Sequence, residues 1–246
     1  MKILLTNDDG IDAAGLSALY EALSPSHEVW VVAPDSQRSG SAHAITFRDS
    51  IRLRPLGERR FACRGTPVDC VTVSLLGIVP KGIEMVVSGI NHGANLGTDL
   101  LYSGTAAAAR QAVLMGVPAV ALSIGSYTPP FNFSTASDFL LRNLELIRSL
   151  SDADHFPNIN FPNGPAAGEP AITFPSRRIY GDELHTYTAF TKDVFCFIGG
   201  AFPESLMEEG SDCKALAEGR ISISPIHVHP ANCDPMEARY RSARFL

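Results

Sequence analysis

Cysteine is scarce in this 246-residue chain: five residues, at positions 63, 70, 196, 213 and 233, with no C-x-x-C pair among them. So small and odd a set argues against a disulfide framework or a closed zinc site, and a reducing cytoplasm is the expected compartment. Positive charge is in short supply as well. Twenty Lys and Arg stand against 26 Asp and Glu, a formal net charge of −6, which speaks against a surface that neutralises a nucleic-acid backbone or lies on an anionic membrane. A small anionic substrate would then need a local device, such as a metal ion or a helix N-terminus. Long apolar runs are missing too. Ile3-Leu4-Leu5 meets Asn7-Asp8-Asp9 at once, too short for a signal peptide or a membrane span, and no later stretch reaches that length. Internal repeats and low-complexity segments are likewise absent from the sequence.

What the chain does have is 45% hydrophobic residues, enough to bury a large core in one α/β domain, with or without an appendage. Ile3 to Leu5 suits a buried strand closed by Asp-Asp-Gly, and Ala14 to Leu23 has the apolar spacing of a helix. Further buried strands are expected at Val29 to Ala33, Met85 to Val87 and Ala119 to Leu122, with helices at Val68 to Leu76 and Ala106 to Met115. This alternation implies a Rossmann-like, mostly parallel sheet with helices on both faces, whose sites collect at the carboxyl ends of the strands. Ile45 to Phe47, Ile51 to Arg54 and Arg60 to Ala62 read as extended pieces of an inserted hairpin region. After Leu150, prolines at 157, 162, 165, 170 and 175 break the chain into short segments. The expected organisation is a core over 1–150 carrying the site and a C-terminal extension over 151–246. Within the extension, 205–218 regains helical spacing and Ile221 to Ser224 alternates like a final strand.

Chemistry-bearing residues fall at the strand ends. Asp8 and Asp9 in Asn7-Asp8-Asp9-Gly10 would repel each other unless a cation sits between them, and hard oxygen ligands suit Mg²⁺ or Mn²⁺. A turn and helix cap would use the same residue types. After the second strand, Arg38-Ser39-Gly40-Ser41-Ala42-His43 offers hydroxyls, though a solvated loop has this composition as well. His43 there could touch substrate, shuttle a proton, or simply face water. After the third strand, Ser88 to Gly97 carries Asn91 and Asn95 among glycines and leads to Tyr102-Ser103-Gly104-Thr105 before an alanine-rich helix. Free N–H groups, hydroxyls and the positive dipole end make such a start ready for phosphate, while an ordinary N-cap explains it too. Three strand ends thus converge. His227-x-His229, with Cys233 beyond, is better explained as chance alternation on a strand than as a second metal site, for want of a fourth ligand.

These residues carry a resemblance to the SurE family of 5′-nucleotidases. It rests on Ile3 to Gly10, Val32-Ala33-Pro34-Asp35 with Arg38-Ser39-Gly40, Gly65 to Cys70, Ser88 to Asn91 with Asn95-Leu96-Gly97, and Tyr102 to Thr105. Asn158 to Pro162 and Ile221 to Pro225 are similar to its later blocks. The resemblance implies hydrolysis of nucleoside monophosphates, with 3′-nucleotides or short polyphosphate as further substrates. It implies one divalent metal per subunit, held by Asp8, Asp9, Ser39 and Asn91, which polarises the phosphoryl group and activates a bound water. Asp8 or Asp9 would accept a proton, and Asn95, Ser103, Gly104 and Thr105 would hold the phosphate. It also implies a homodimer or homotetramer built through C-terminal elements. The chain departs from the family where its last strand continues, with His229 and Ala231 at places usually acidic and Thr. Two other readings stay open: a nucleotide-binding sensor without turnover, and an aspartyl-phosphate phosphatase of the haloacid-dehalogenase type. Adjacent acids count against the latter, whose acids are typically one residue apart. A dinucleotide oxidoreductase is disfavoured by the missing G-x-G-x-x-G.

Overall fold

The computed structural model describes residues 1–230. Strand β1, Lys2–Thr6, shows what builds it: Ile3 and Leu5 enter one apolar cluster and Leu4 the other, all fully buried. A strand with no polar side belongs in the middle of a sheet covered on both faces. Helix α1, Ala14–Leu23, and strand β2, Glu28–Pro34, follow, and then the hairpin strands β3, Arg52–Gly57, and β4, Arg60–Arg64. Helix α2, Pro67–Val73, runs into a wider helical turn at Ser74–Ile78. Next come β5, Met85–His92; a 3₁₀ turn, Gly97–Leu101; helix α3, Gly104–Leu114; β6, Ala119–Ile124; helix α4, Ser134–Ser149; and β7, His155–Phe161. The remainder holds β8, Ala171–Ile172; β9, Arg178–Ile179; β10, Asp182–Thr188; β11, Val194–Gly200; β12, Glu204–Ser205; α5, Asp212–Ala217; and β13, Ser222–His227.

Among the described residues nine strands form one sheet, in the order β3-β4-β2-β1-β5-β6-β7-β13-β8. From β4 to β7 the pairing is parallel, so the carboxyl ends of these strands share one edge. β3 and β13 pair antiparallel with β4 and β7. Leu16, Leu19 and Leu23 of α1 join Leu140, Leu144 and Ile147 of α4 on one face. Cys70 and Val71 of α2 join Ala106 to Val113 of α3 on the other. This is the mostly parallel, doubly covered α/β sheet expected from the alternation.

Several details differ from the sequence reading. Ile45 to Phe47 is irregular, because the Thr46 N–H and hydroxyl both donate to Asp69, at 2.8 and 2.7 Å, instead of to a strand ladder. Asp69 also closes the capping box of α2 with Thr66. Helix α4 is an element the strand-end pattern did not mark. The sheet does not stop near residue 150: β7, β13 and β8 complete it, since Phe156, Ile159 and Phe161 are fully buried strand residues despite the prolines around them. The helix foreseen over 205–218 shortens to α5, capped by Ser211, whose side chain accepts from the Lys214 N–H. What does stand away from the sheet is the β10–β11 ribbon, every residue of which is exposed.

Candidate active site

The β1 strand ends in a turn clasped by Asn7, which donates to the Gly10 carbonyl at 2.9 Å and accepts the Gly10 N–H at 3.2 Å. Such an Asx clasp fixes the direction of the two acids that lie inside it. Asp8 is buried, and its Oδ1 accepts the Thr105 hydroxyl at 2.5 Å from the first turn of α3. The Asp8 carbonyl takes the Arg38 N–H at 2.7 Å, which ties the loop after β2 to the same point. Gly104 is required here: a Cβ would stand 2.8 Å from Asp8 Cβ and 2.9 Å from Ser41 Oγ. The absence of a side chain lets the α3 start close on the acid.

Asp9 Oδ2 accepts the His92 N–H at 3.3 Å from the end of β5. His92 Nε2 lies 3.1 Å from Oδ1, but its direction makes this an electrostatic contact and not a hydrogen bond, so Oδ1 has no donor among the described residues. Burial raises the Asp8 carboxyl above its ordinary range, opposed by the Thr105 hydroxyl. Asp9 is pushed up to about 6, first by burial and then by the neighbouring Asp8 charge, with His92 opposing. Two buried carboxylates in this state are costly when ionised, and a buried acceptor without a donor calls for a cation or a proton.

A cleft of about 420 Å³ opens beside them, lined by Asp8, Ser39, Asn91, Asn95 and Ser103 of the residues foreseen. Asn91 Nδ2 donates to the Gly93 carbonyl at 2.7 Å, which leaves its Oδ1 without a hydrogen-bond partner among the described residues. Ser39 is exposed, and its hydroxyl takes Gln37 Nε2 at 3.1 Å. Asn95 Nδ2 donates to Ser123 Oγ at 2.9 Å. Ser103 is the N-cap of α3 and accepts the Ala106 N–H at 3.0 Å. Asp9 and His92 line an adjoining cavity of about 440 Å³ with Asp35 and Phe131, and His92 belongs to both spaces.

Two expected residues sit differently. Thr105 is fully buried with its hydroxyl committed to Asp8, so it supports the acid. His43 lies against α3, its Nε2 3.0 Å from Gln111 Oε1, and burial lowers its basicity. It is not among the residues that line the cleft. His227 Nδ1 contacts the His229 carbonyl at 2.7 Å. Ala231 and Cys233 lie outside the described residues, among which no group of three or more His, Cys, Asp or Glu could hold a metal. The Asp8–Asp9 set differs in kind, since it would combine two carboxylates with neutral oxygens.

Sequence reasoning did not assign roles to His92, Asn158, Asn160, Asp99 or Asp212. The two asparagines of β7 pin the Asn95 loop: both donate to the Asn95 carbonyl, at 2.9 and 3.1 Å, and Asn160 Oδ1 accepts the Asn95 N–H at 2.9 Å. Polar amides on a strand buried on both faces were the signal. Asp212 holds the Gly97 N–H at 2.7 Å and the Ser176 N–H at 2.9 Å, a pairing across 115 residues that no local pattern shows.

The fold and site define a Rossmann-like α/β protein with an acidic pair and a ligand cleft at the carboxyl edge of its sheet. The sequence model described as "Survival protein SurE" matches residues 3–182, and the chain belongs to that family. The 5′-nucleotidase SurE of Geobacter sulfurreducens is 40% identical over 238 residues, covering 94% of this chain and 90% of its own. That of Anaeromyxobacter dehalogenans is 42% identical over 250 residues, covering 98% and 95%. The crystal structure of the SurE protein from Aquifex aeolicus matches with a TM-score of 0.83 at 30% identity, covering 99% of this chain and 100% of that one.

Proposed function

We propose that the protein is a divalent-metal-dependent 5′-nucleotidase that hydrolyses nucleoside monophosphates to nucleoside and phosphate. The observation that carries this is the buried Asp8–Asp9 pair, with Asp9 Oδ1 lacking a donor among the described residues, beside a cleft that Asn91 and the N-cap of α3 also line. The names of the relatives support the same activity. Asp8, Asp9, Ser39 Oγ and Asn91 Oδ1 would hold one Mg²⁺ or Mn²⁺ per subunit, and the all-oxygen donor set suits such hard cations. When bound, the ion supplies charge stabilisation at the phosphoryl group and lowers the pKa of water.

The chain's own residues do the rest. Thr105 and Gly104 fix Asp8, so the acid is oriented before substrate arrives. The Asn95 amide and the N–H groups at the start of α3 orient the phosphate. Asp8 or Asp9 would accept a proton from the attacking water. Short polyphosphate and 3′-nucleotides present the same terminal phosphate chemistry and are proposed as secondary substrates.

The assembly is proposed to be a dimer or tetramer. Leu184, Tyr187, Phe195, Phe197 and Ile198 expose 50% or more of their surface on the β10–β11 ribbon, and a second copy would cover them. A reducing cytoplasm is the proposed compartment, consistent with buried, unlinked Cys63 and Cys70. Among the described residues no helix is long and apolar enough to cross a membrane.

The test is phosphate release from a panel of 5′- and 3′-nucleotides with and without chelator. Release from 5′-monophosphates that chelator abolishes is expected. Full turnover in excess chelator would overturn the metal assignment, and tight nucleotide binding with no release would replace the enzyme by a sensor.

A further inference from the structure

The cleft has an aromatic side that the chemistry above does not use. Tyr127 and Tyr102 both line it, yet remain 50% and 56% exposed. Half-exposed rings on the wall of a polar cleft expose apolar surface that the fold itself does not require. Each ring also meets an aromatic residue of the later chain. Tyr127 packs on Phe202 with centroids 5.4 Å apart, and Tyr102 meets Tyr180 edge-on at 6.1 Å.

Tyr127 is seated with particular closeness. A Cβ on Gly93 would stand 2.6 Å from Tyr127 Cε1, so only glycine lets the ring lie on the loop that carries Asn91 and Asn95. The Tyr127 hydroxyl reaches the Ala94 carbonyl at 3.3 Å, which anchors the far end of the ring to the same loop. Tyr102 directly precedes Ser103, the cap of the helix start proposed to hold phosphate. Both rings are therefore attached to the two segments that would grip the phosphoryl group. A nucleotide's base lies one sugar away from its phosphate, and a rigid ring at that place offers a π-face to any base.

We propose that Tyr127, packed against Phe202 and seated on Gly93, is the stacking platform for the substrate's nucleobase, with Tyr102 as a second aromatic wall. This rests on the nucleotidase reading and sharpens it to a substrate class: nucleoside monophosphates over base-free sugar phosphates, with purines ahead of pyrimidines because the larger ring stacks over more area. Asp99, held by the Tyr180 hydroxyl at 2.6 Å and by Arg178 Nε at 3.1 Å, lines the same cleft and leaves acceptor capacity for the sugar hydroxyls.

The experiment compares AMP, CMP and ribose 5-phosphate on the full-length metal-loaded protein, wild type against Tyr127→Ala and Tyr127→Phe. Dissociation constants come from calorimetry, and KM and kcat from phosphate release. Stacking on an aromatic platform is worth about tenfold in affinity or more. The wild type is expected to prefer AMP over ribose 5-phosphate by at least that factor, and Tyr127→Ala to collapse the ratio through KM with kcat little changed. Tyr127→Phe keeps the π-face and should restore the ratio. Equal wild-type affinity for AMP and ribose 5-phosphate overturns the proposal. So does a Tyr127→Ala variant that keeps the AMP preference, or one that weakens both ligands in parallel. Absence of phosphate release from every compound would overturn the nucleotidase reading instead, and the binding ratio would still decide the platform.

Discussion

The carboxyl edge of the sheet and the β10–β11 ribbon are opposite solutions to the same problem of satisfying a chain segment. At the edge, Asp8, Asn95, Asn158 and Asn160 are buried polar groups, and nearly every one is tied to a neighbour by a hydrogen bond across the sheet. Among the described residues the ribbon pairs only with itself, Asp182 to Thr188 against Val194 to Gly200, and turns apolar side chains to solvent. Buried polar networks hold a geometry because each unmet partner is costly. A two-stranded ribbon has little stability of its own beyond its ladder, which is why a second copy is proposed to cover it. Among the described residues the buried acceptors left without a donor include Asp9 Oδ1 and Asn158 Oδ1, and the first of these, beside Asp8, is where the cation is proposed to bind.

The comparison breaks first at the acids. Asp8→Asn and Asp9→Asn should each lower kcat/KM by more than about 100-fold, beyond the range reached by losing a residue that only supports a metal ligand. Circular dichroism should show both variants folded, because the two acids stabilise the metal-free scaffold little. Wild-type turnover in either would remove the site from this edge. Replacing 182–200 by a short Gly-Ser turn should convert an oligomer to a monomer in light scattering while the sheet's circular dichroism persists. An unchanged assembly would show that the ribbon's apolar side chains have another purpose.

A finer cut separates holding phosphate from holding Asp8. Thr105→Val removes a hydrogen bond to a buried carboxylate, and about a tenfold fall in kcat is expected. Phosphate inhibition should change less than twofold, since the hydroxyl is spent on the acid. A large loss of phosphate affinity with kcat preserved would reverse this assignment. The smallest effect is the pH dependence of the metal-free protein. Asp9 is raised from an ordinary 3.8 to about 6, so the folded state binds the proton more tightly than the unfolded chain does. Its contribution to stability is complete below about pH 3.8 and is lost as pH rises through about 6. Melting of chelated protein should therefore fall between pH 5 and pH 7, and saturating Mn²⁺ should cancel that part of the fall. A chelated protein that gains stability over this interval would contradict the burial of the pair.

The parts legible in the sequence were those written in local patterns. Ile3-Leu4-Leu5 ending in Asp8-Asp9, and the Ser103 start of an alanine helix, placed a strand end and a helix start with no knowledge of the rest. Thr105 was read as a phosphate ligand because its position in the first turn was visible and its partner was not: Asp8 lies 97 residues away. The limits of the sheet failed for a similar reason. The prolines after Leu150 are real breaks, but Phe156 and Phe161 are paid for by long-range pairing with β6 and β13, which no window on the sequence contains. The irregular path at Ile45 to Phe47 depends on Asp69, a residue that local patterns placed only within the helix expected at Val68 to Leu76.

Direct binding of the cation tests the central claim with the fewest intermediaries. Calorimetric titration of Mn²⁺ into chelator-stripped, desalted protein should give one site per chain in the wild type, a markedly weaker site in Asp9→Asn, and none in a variant with both acids replaced. Equal Mn²⁺ binding by the wild type and the double variant would contradict the account, because the ion would then be held by groups other than Asp8 and Asp9.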